Sequence, residues 1–502
     1  MTDKKKITLS KTNYILYRDC PKNSWLKIHK PDIYFKSELS EFEKSIIETG
    51  NEVELVARQI FPTGILVEGR DEESQKITAD YILQKQPTLF QAVFGIEGFL
   101  AATDILKYHQ DTDSYSIYEV KASNSVDDKI HIHDLAFQVN VLRKAGLKVD
   151  RALVIHLNPE YVRDGELEIT KLFQESNVTD QVEAIAHEVL DEMNFALEYL
   201  STNSEPVGPC SCLRKGRSKH CTTFHYSNPQ VPDYSVHDIA RIGLSKVKLT
   251  ELVDSNIFHI KDVPREMELS ETQRNQIDSH IFNRVIIDQD RIREEFDDLV
   301  FPLYFLDYET FPAAIPRFDG FSPYQQIPFQ YSLHVVDKPE CEPKHFEFLY
   351  TENGDPSLPF VESMQKHIGK VGSVIVWHKS FECSRNRELA ERIPETKHFM
   401  NDINNRTYDL EDIFKKQYHV HKDYKGSSSI KKVLPVLAPD LSYKNLEIQE
   451  GGSATQAWNK IVTAELEPFE RETIIENLKN YCKLDTYAMY AIWKELCNVI
   501  GY

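Results

Sequence analysis

Two carboxylates, Asp307 and Glu309, stand one residue apart in the run "FPLYFLDYETFP". In a strand, residues i and i+2 face the same side, so the pair projects together, opposite Leu306 and Tyr308. The run is apolar on both sides of the pair, as in a strand covered on both faces. Two buried like charges repel and lose hydration, so each ionises only with compensation. A divalent cation is a common compensator for side-by-side carboxylates. The C-terminal stretch repeats the anomaly. Ile474, Leu478, Tyr481, Asp485, Ala488 and Ile492 fall at three- and four-residue steps and mark one helix face. Asp485 occupies a place on that stripe where an apolar residue is expected, with Tyr481 one turn earlier. Between the two anomalies, "SVIVWHKSFECSRNREL" reads as strand, loop and helix. Glu382 lies near the helix start, where a carboxylate also meets the helix dipole favourably.

A second set of chemistry-bearing residues lies in the first half. Asp104 ends an apolar run, and fourteen residues separate it from Glu119, which opens "EVK". Glu119 and Lys121 share one strand face. Glu54 lies on a preceding helical stretch and Gln138 on a following one, "AFQVNVL". Of eight cysteines, Cys20 is early, and Cys210, Cys212 and Cys221 cluster in a turn-rich segment. Four thiolates in this pattern are metal-ligand chemistry, and zinc takes them directly, with His220 or His225 as a substitute for one. Cys341, Cys383, Cys482 and Cys497 stand outside the cluster and read as buried thiols.

The elements that must hold these residues follow from periodicity. "SEFEKSIIETGNEVELVARQIF" is an amphipathic helix or helix pair, and "SYSIYEVKAS" a strand. "HIHDLAFQVNVLRKAGL" is a helix stopped at Gly146, and "RALVIHLN" a further strand. Strand patterns return in "LYFLDYETF", "PFQYSLHVV", "KHFEFLY" and "SVIVWH", followed by helices. The expected organisation is α/β and multidomain: 1–228, a helical connector over 229–298 with a helix-hairpin-helix flavour, and 299–502. A chain of 502 residues exceeds one core.

Net charge is −20, which argues against a general nucleic-acid coat but not against an enzyme that offsets acids with metal. Basic stretches exist at 213–220 and 421–432, as solvated loops or phosphate contacts. No apolar run is long enough to cross a bilayer. The basic start lacks an apolar segment behind it, so no membrane association and a cytoplasmic location are expected, and disulfides are not.

Taken in order, Asp-x-Glu on a strand, an acid after a second strand and Tyr-x-x-x-Asp on a last helix resemble the DEDDy branch of the DnaQ-like 3′–5′ exonucleases, which have a ribonuclease H-like fold. The resemblance covers roughly 300–502. It departs at the second motif, where Glu382 stands in place of Asp. It implies two Mg²⁺ or Mn²⁺ ions about 3.5–4 Å apart, with Asp307 bridging, Glu309 and Asp485 completing the water-activating site, Glu382 holding the second ion and Tyr481 orienting the water.

The Asp104, Glu119, Lys121 pattern resembles the restriction-endonuclease-like P-D-(D/E)-x-K fold, and Gln138 the Gln motif of RecB-like nucleases. Glu54 stands where that group often has a metal-binding His. The resemblance implies a Mg²⁺ or Mn²⁺ site of Asp104, Glu119 and the Val120 carbonyl, assisted by Glu54. Lys121 would position the attacking water and stabilise phosphate charge, and Gln138 would orient the lysine or contact DNA. One early and three late cysteines resemble the iron–sulfur nucleases of the RecB-like and CRISPR-associated families, implying a [4Fe–4S] cluster. Together these features resemble a bacterial family of predicted nucleases fusing the two domains. The expected function is a metal-dependent DNA nuclease with two sites, in DNA repair or defence against foreign DNA. An RNA-processing exonuclease and a non-enzymatic nucleic-acid scaffold are the alternatives.

Overall fold

The computed structural model describes residues 7–35 and 41–501. By contact the chain divides into two units, Met1–Gln230 with Ala314–Tyr324, and Val231–Ala313 with Gln325–Tyr502. Both are α/β, with mixed sheets and many helices.

The first unit is built on a seven-stranded sheet: β1 (Leu9–Ser10), β2 (Ile65–Leu66), β3 (Thr88–Ile96), β4 (Phe99–His109), β5 (Ser114–Lys121), β6 (Val149–Leu157) and β7 (Phe173–Asn177). The order is β2-β3-β4-β5-β6-β7, with β1 also pairing β4. β3, β4 and β5 form an antiparallel meander, whereas β5 and β6 are parallel. A parallel pair needs a crossover, and the helix His131–Lys144 supplies it. That helix is buried from His131 to Leu142 except at His133, because the helix Thr179–Ser201 covers its other side; Asn140 Nδ2 donates to Ala186 O across them (2.8 Å). Helix Glu41–Ala57 runs unbroken through Gly50.

The second unit contains β8 (Ile286–Ile287), β9 (Leu303–Pro312), β10 (Gln326–Val336), β11 (Lys344–Leu349), β12 (Val374–Val376), β13 (Thr407–Asp409) and β14 (His419–Val420). Its main sheet runs β11-β10-β9-β12-β13. β9, β10 and β11 are antiparallel neighbours, and β12 and β13 run parallel to β9. Tyr304, Leu306 and Tyr308 of β9 face a core with Phe360, Met364, Val374 and Leu389. The alternation then turns Asp307 and Glu309 to the opposite face, towards the 33-residue helix Pro468–Ile500.

Two boundaries differ from expectation. The expected connector 229–298 lies from Val231 onward within the second unit, buries Ile242, Leu252, Ile277 and Phe296, and pairs β8 antiparallel to β14. Residues 314–324 belong to the first unit. Ala314 and Ile315 join the core around Val53 and Tyr118, and Arg163 Nη1 donates to the carbonyls of Pro316 and Arg317. Among the outlying thiols Cys341 is exposed rather than buried, because it sits in the turn between β10 and β11. No described helix is long and apolar enough to cross a membrane.

Candidate functional site

Asp307, Glu309, Glu382, Tyr481 and Asp485 line one cavity of about 220 Å³ in the second unit. β9 delivers the first two, helix Lys379–Arg392 the third and helix Pro468–Ile500 the last two. Helix Lys379–Arg392 is fixed at its start by Asp409, whose carboxylate accepts from the backbone N–H groups of His378 (3.0 Å) and Lys379 (3.1 Å). His378, which also lines the cavity, has φ +88°, a left-handed conformation that costs energy for a residue with a Cβ.

No ion pair among the described residues engages any of the four carboxylates. Burial pushes Asp307 well above the usual range, reinforced by the charges of Asp485 and Glu309. Glu309 rises for the same reason, burial first and then Asp485. Burial raises Glu382 to about 8, and its Oε2 is a buried acceptor without a partner. Asp485 rises to about 7 through burial, opposed by the Tyr443 hydroxyl and the Lys431 charge. Asp307, Glu309 and Cys482 each place one ligand atom within 4.8 Å of the others. Two of these donors are hard carboxylate oxygens, which suit Mg²⁺ or Mn²⁺, and the third is the Cys482 thiol, whose Sγ lies 4.0 Å from Asp307 Oδ2.

Sequence reasoning missed two contributors. Tyr443 Oη donates to Asp485 Oδ1 (2.6 Å). Lys431 lines the cavity and places its Nζ 5.6 Å from the Tyr443 ring centre and 5.8 Å from that of Tyr481. Both belong to the segment after residue 426, whose Ser/Gly/Lys start is the only local signal.

In the first unit Asp104 lies on β4 and Glu119 and Lys121 on β5. Glu119 is fully enclosed by donors: Lys11 Nζ (2.7 Å) and Lys121 Nζ (2.7 Å) donate to its Oε1, and Gln138 Nε2 (2.6 Å) to its Oε2. Burial alone would raise Glu119, but the two lysine charges outweigh it and hold the carboxyl well below its usual range. Lys121 also donates to Asp134 Oδ2 (2.8 Å). Asp104 rises to about 7 through burial and the Glu119 charge; its Oδ2 accepts from the Val120 N–H (2.8 Å). Glu54 is one step removed, its Oε1 taken by Arg58 (2.6 Å) and by Gln91 Nε2 (2.6 Å), which also reaches Asp104 Oδ1 (3.3 Å). Lys11, Gln91 and Asp134 were not anticipated. Asp134 had a signal, since it is one turn from Gln138 on the same helix face.

Cys20, Cys210, Cys212 and Cys221 bring their four sulfurs within 4.8 Å of one another, a set that can bind a metal. Cys20 sits between helices Lys11–Asp19 and Pro21–His29, and the other three follow from 210 onward. The Cys20 thiol is driven down by hydrogen bonds from the other three, and Asn228 Nδ2 donates to Cys210 Sγ (3.2 Å). Cys210 and Cys221 are 3.9 Å apart, close to the ~3.8 Å edge of a tetrahedron with Zn–S bonds of about 2.3 Å. A four-iron cluster would require the sulfurs to spread. His220 does not join them: its ring stacks on Phe224 at 3.4 Å, and Nε2 lies 3.0 Å from Lys215 O. His225 packs edge-on against Phe224.

Residues 304–429 match a family described as a domain of unknown function (DUF2779). This region holds Asp307, Glu309 and Glu382 but stops short of Lys431, Tyr443, Tyr481 and Asp485. The chain is similar to the uncharacterized protein UU173 of Ureaplasma parvum, 30% identical over 208 residues. It is similar to the uncharacterized protein MG366 of Mycoplasma genitalium, 31% identical over 208 residues, and to its homologue in Mycoplasma pneumoniae, 31% identical over 207. Each match covers 38% of this chain and 30–31% of the relative, so the chain spans under a third of the length of these relatives.

Proposed function

We propose that the chain is a metal-dependent nuclease that shortens DNA from its ends by phosphodiester hydrolysis. The C-terminal cavity is the 3′–5′ exonuclease site, and the Glu119 cluster a second nuclease centre. One observation carries the reading: three buried carboxylates, the half-buried Asp307 and a tyrosine converge on one cavity with no cation bonded to any of the acids. Such a set is stable in its charged form only with multivalent cations. The sheet order, with the acidic pair on the central β9 and two strands parallel to it, supports the ribonuclease H-like resemblance.

Asp307, Glu309, Glu382 and Asp485 would hold Mg²⁺ or Mn²⁺, which when bound supplies charge neutralisation and an acidified water. Tyr443 holds Asp485 in place and favours its ionised form. Tyr481 presents its ring and hydroxyl beside Asp485 to orient a nucleophilic water. Lys431 supplies a positive charge at the cavity wall where phosphate charge would develop. In the first unit Lys11 and Lys121 already neutralise Glu119, so cation binding to Asp104 and Glu119 there would displace a lysine from Glu119. The cysteine set would hold a thiolate metal centre that ties residue 20 to residues 210–221. Its iron or zinc content is read from metal analysis and absorbance near 400 nm, about where thiolate-bound iron–sulfur clusters absorb.

The test is an assay with Mn²⁺ on 5′-labelled single- and double-stranded DNA and matched RNA, using wild type, Asp307→Asn and Glu119→Gln. The reading expects a 3′-shortened ladder on DNA that Asp307→Asn abolishes, and a separate product pattern that Glu119→Gln removes. A ladder that survives Asp307→Asn refutes the C-terminal assignment. Trimming of RNA alone replaces the substrate class.

A further inference from the structure

The basic segment 421–432 is not absorbed by the acid cavity alone. It forms one wall of a separate cleft of about 670 Å³ within the second unit. The opposite wall is built from the segment that the sequence presented as a connector: Arg241 and Lys248 line it, together with Ser270 and Thr272. Ser427 and Ser428 line the near wall with Lys415, and no carboxylate lines the cleft. No ion pair among the described residues engages Arg241 or Lys248. In a chain of net charge −20, a cleft lined by basic groups and hydroxyls and free of acids is a local exception. His419 adds no charge near neutral pH, since burial lowers it to about 4.

The cleft is rigidly built. Gln276, itself buried, donates to Asp238 O and Tyr234 Oη and accepts from the Ala240 N–H, each within 2.9 Å. Gly426 has φ +75°, and a Cβ there would lie 2.4 Å from Gln276 Oε1, so the near wall approaches by its backbone. One carboxylate, itself lining neither cavity, links the walls of the two. Glu411 pairs with Lys415 (2.6 Å) and accepts from Ser428 Oγ (2.6 Å), both cleft residues. It also lies 3.4 Å from Nδ1 of His378, which lines the acid cavity. Two residues beyond Ser428, Ile430 and Lys431 line that cavity directly.

We infer that this cleft binds the sugar–phosphate backbone of a single-stranded nucleic acid whose 3′ end occupies the acid cavity. Arg241 and Lys248 neutralise phosphates, and the Ser270 and Ser427 hydroxyls, which only accept within the fold, donate to their oxygens, contacts that position a strand without reading sequence. The direction of the strand rests on the proposed exonuclease reading; the existence of the binding cleft does not.

The test is binding, not hydrolysis. Fluorescence anisotropy measures 5′-labelled oligothymidylates of about 4, 8, 12 and 16 nucleotides, in the range of single-strand site sizes, on full-length protein in EDTA. Oligouridylates run in parallel. Affinity should climb with length and then level once the strand fills both cavities. Arg241→Ala/Lys248→Ala should weaken the longest oligomer about tenfold and reduce its log–log salt slope by about 1.4, or 0.7 for each lost single-strand phosphate contact. The 4-mer should be affected less than the 16-mer. Circular dichroism and an unchanged thermal midpoint establish that the variant folds. Tighter binding of oligouridylate with the same length dependence supports the cleft and assigns the sugar. Equal losses at all lengths, unchanged binding of the 16-mer, or no binding of any oligomer to wild type overturn the inference. Since hydrolysis is not read, loss of the exonuclease reading leaves this outcome interpretable.

Discussion

Replacing Glu382 by Gln keeps the side-chain volume and removes the charge that the cavity does not match. Burial raises the folded-state value to about 8 from an ordinary 4.5. The folded protein therefore holds this proton more tightly than the unfolded chain. Its stabilising effect is full below pH 4.5 and is lost as pH rises towards 8. Between pH 5 and 7 the loss is on the order of 2.5 kcal/mol, each full unit in the window being worth about 1.4 kcal/mol. In a unit of this size a kcal/mol moves the midpoint by about 2 °C, so the metal-free wild type should melt some 5 °C lower at pH 7 than this residue allows at pH 5. Glu382→Gln does not titrate and should show a pH slope shallower by that amount. Asp307, Glu309 and Asp485 titrate in both proteins, and the Glu382 charge also raises Asp307 and Glu309, so the difference between the two curves reads Glu382 together with its coupling to that pair. Thermal melts in EDTA followed by tryptophan fluorescence are suitable, because Trp377 lines the same cavity. Mn²⁺ at a hundredfold excess over its Kd should restore about 2.7 kcal/mol to wild type at pH 7, and less to the variant. Parallel pH slopes for the two proteins would refute the reasoning, since Glu382 would then be solvated in the folded state.

Other perturbations separate the remaining parts. Lys11→Met leaves buried Glu119 with one lysine instead of two, and denaturant melts should show a loss of about 3 kcal/mol, the scale of a broken buried pair; an unchanged midpoint would show that Lys121 suffices. Tyr443→Phe removes a hydroxyl that favours ionised Asp485, so the acid limb of the exonuclease pH profile should move upward and kcat should fall about tenfold, a charge-assisted bond being worth roughly 1.5 kcal/mol or more. An unmoved limb would mean that Asp485 is not the group titrating there. Cys20→Ser should lower bound iron or zinc, measured by elemental analysis, and reduce the stability of the first unit; full metal content would exclude the four-sulfur centre.

Much of the C-terminal site was legible because its acids break strong local patterns. Asp307 and Glu309 interrupt an apolar strand, and Asp485 interrupts a helical stripe, so the anomaly is visible within about a dozen residues. Lys431 and Tyr443 break no pattern. Lys431 lies in the first turn of the helix Ile430–Leu437 and Tyr443 opens the short turn Tyr443–Asn445, and only the tertiary path brings them to Asp485. The same holds for Lys11, which precedes Glu119 by 108 residues. Asp134 was recoverable, since it precedes Gln138 by one turn on the same face of helix His131–Lys144. The strands β3, β4 and β13 had no distinct signal of their own. Periodicity also could not show that 229–298 packs into the second unit, because its short helical turns bury single side chains rather than a continuous face.

The two acidic clusters differ in what neutralises them, and the difference is chemical. Glu119 meets two lysines and a glutamine, so the first-unit site is electrostatically complete without metal, and a cation entering it competes with ammonium groups already in place. The C-terminal carboxylates meet neutral hydroxyls, backbone N–H groups and one thiol, and form no ion pair among the described residues, the nearest charges being Lys431 at the wall and Arg385 acting on Glu382. There a proton or a metal must supply the missing charge. Two metal dependences follow for the two sites. The C-terminal site should bind cations tightly and gain stability from them, increasingly so as pH rises and protons leave. The first-unit site should bind more weakly and gain little, because each ion bound frees a lysine that was already paired. Calorimetric titration of wild type with Mn²⁺, repeated on Asp307→Asn and Glu119→Gln, distinguishes the two. Loss of the tight phase in Glu119→Gln rather than in Asp307→Asn would reverse the assignment and place the metal-dependent centre in the first unit.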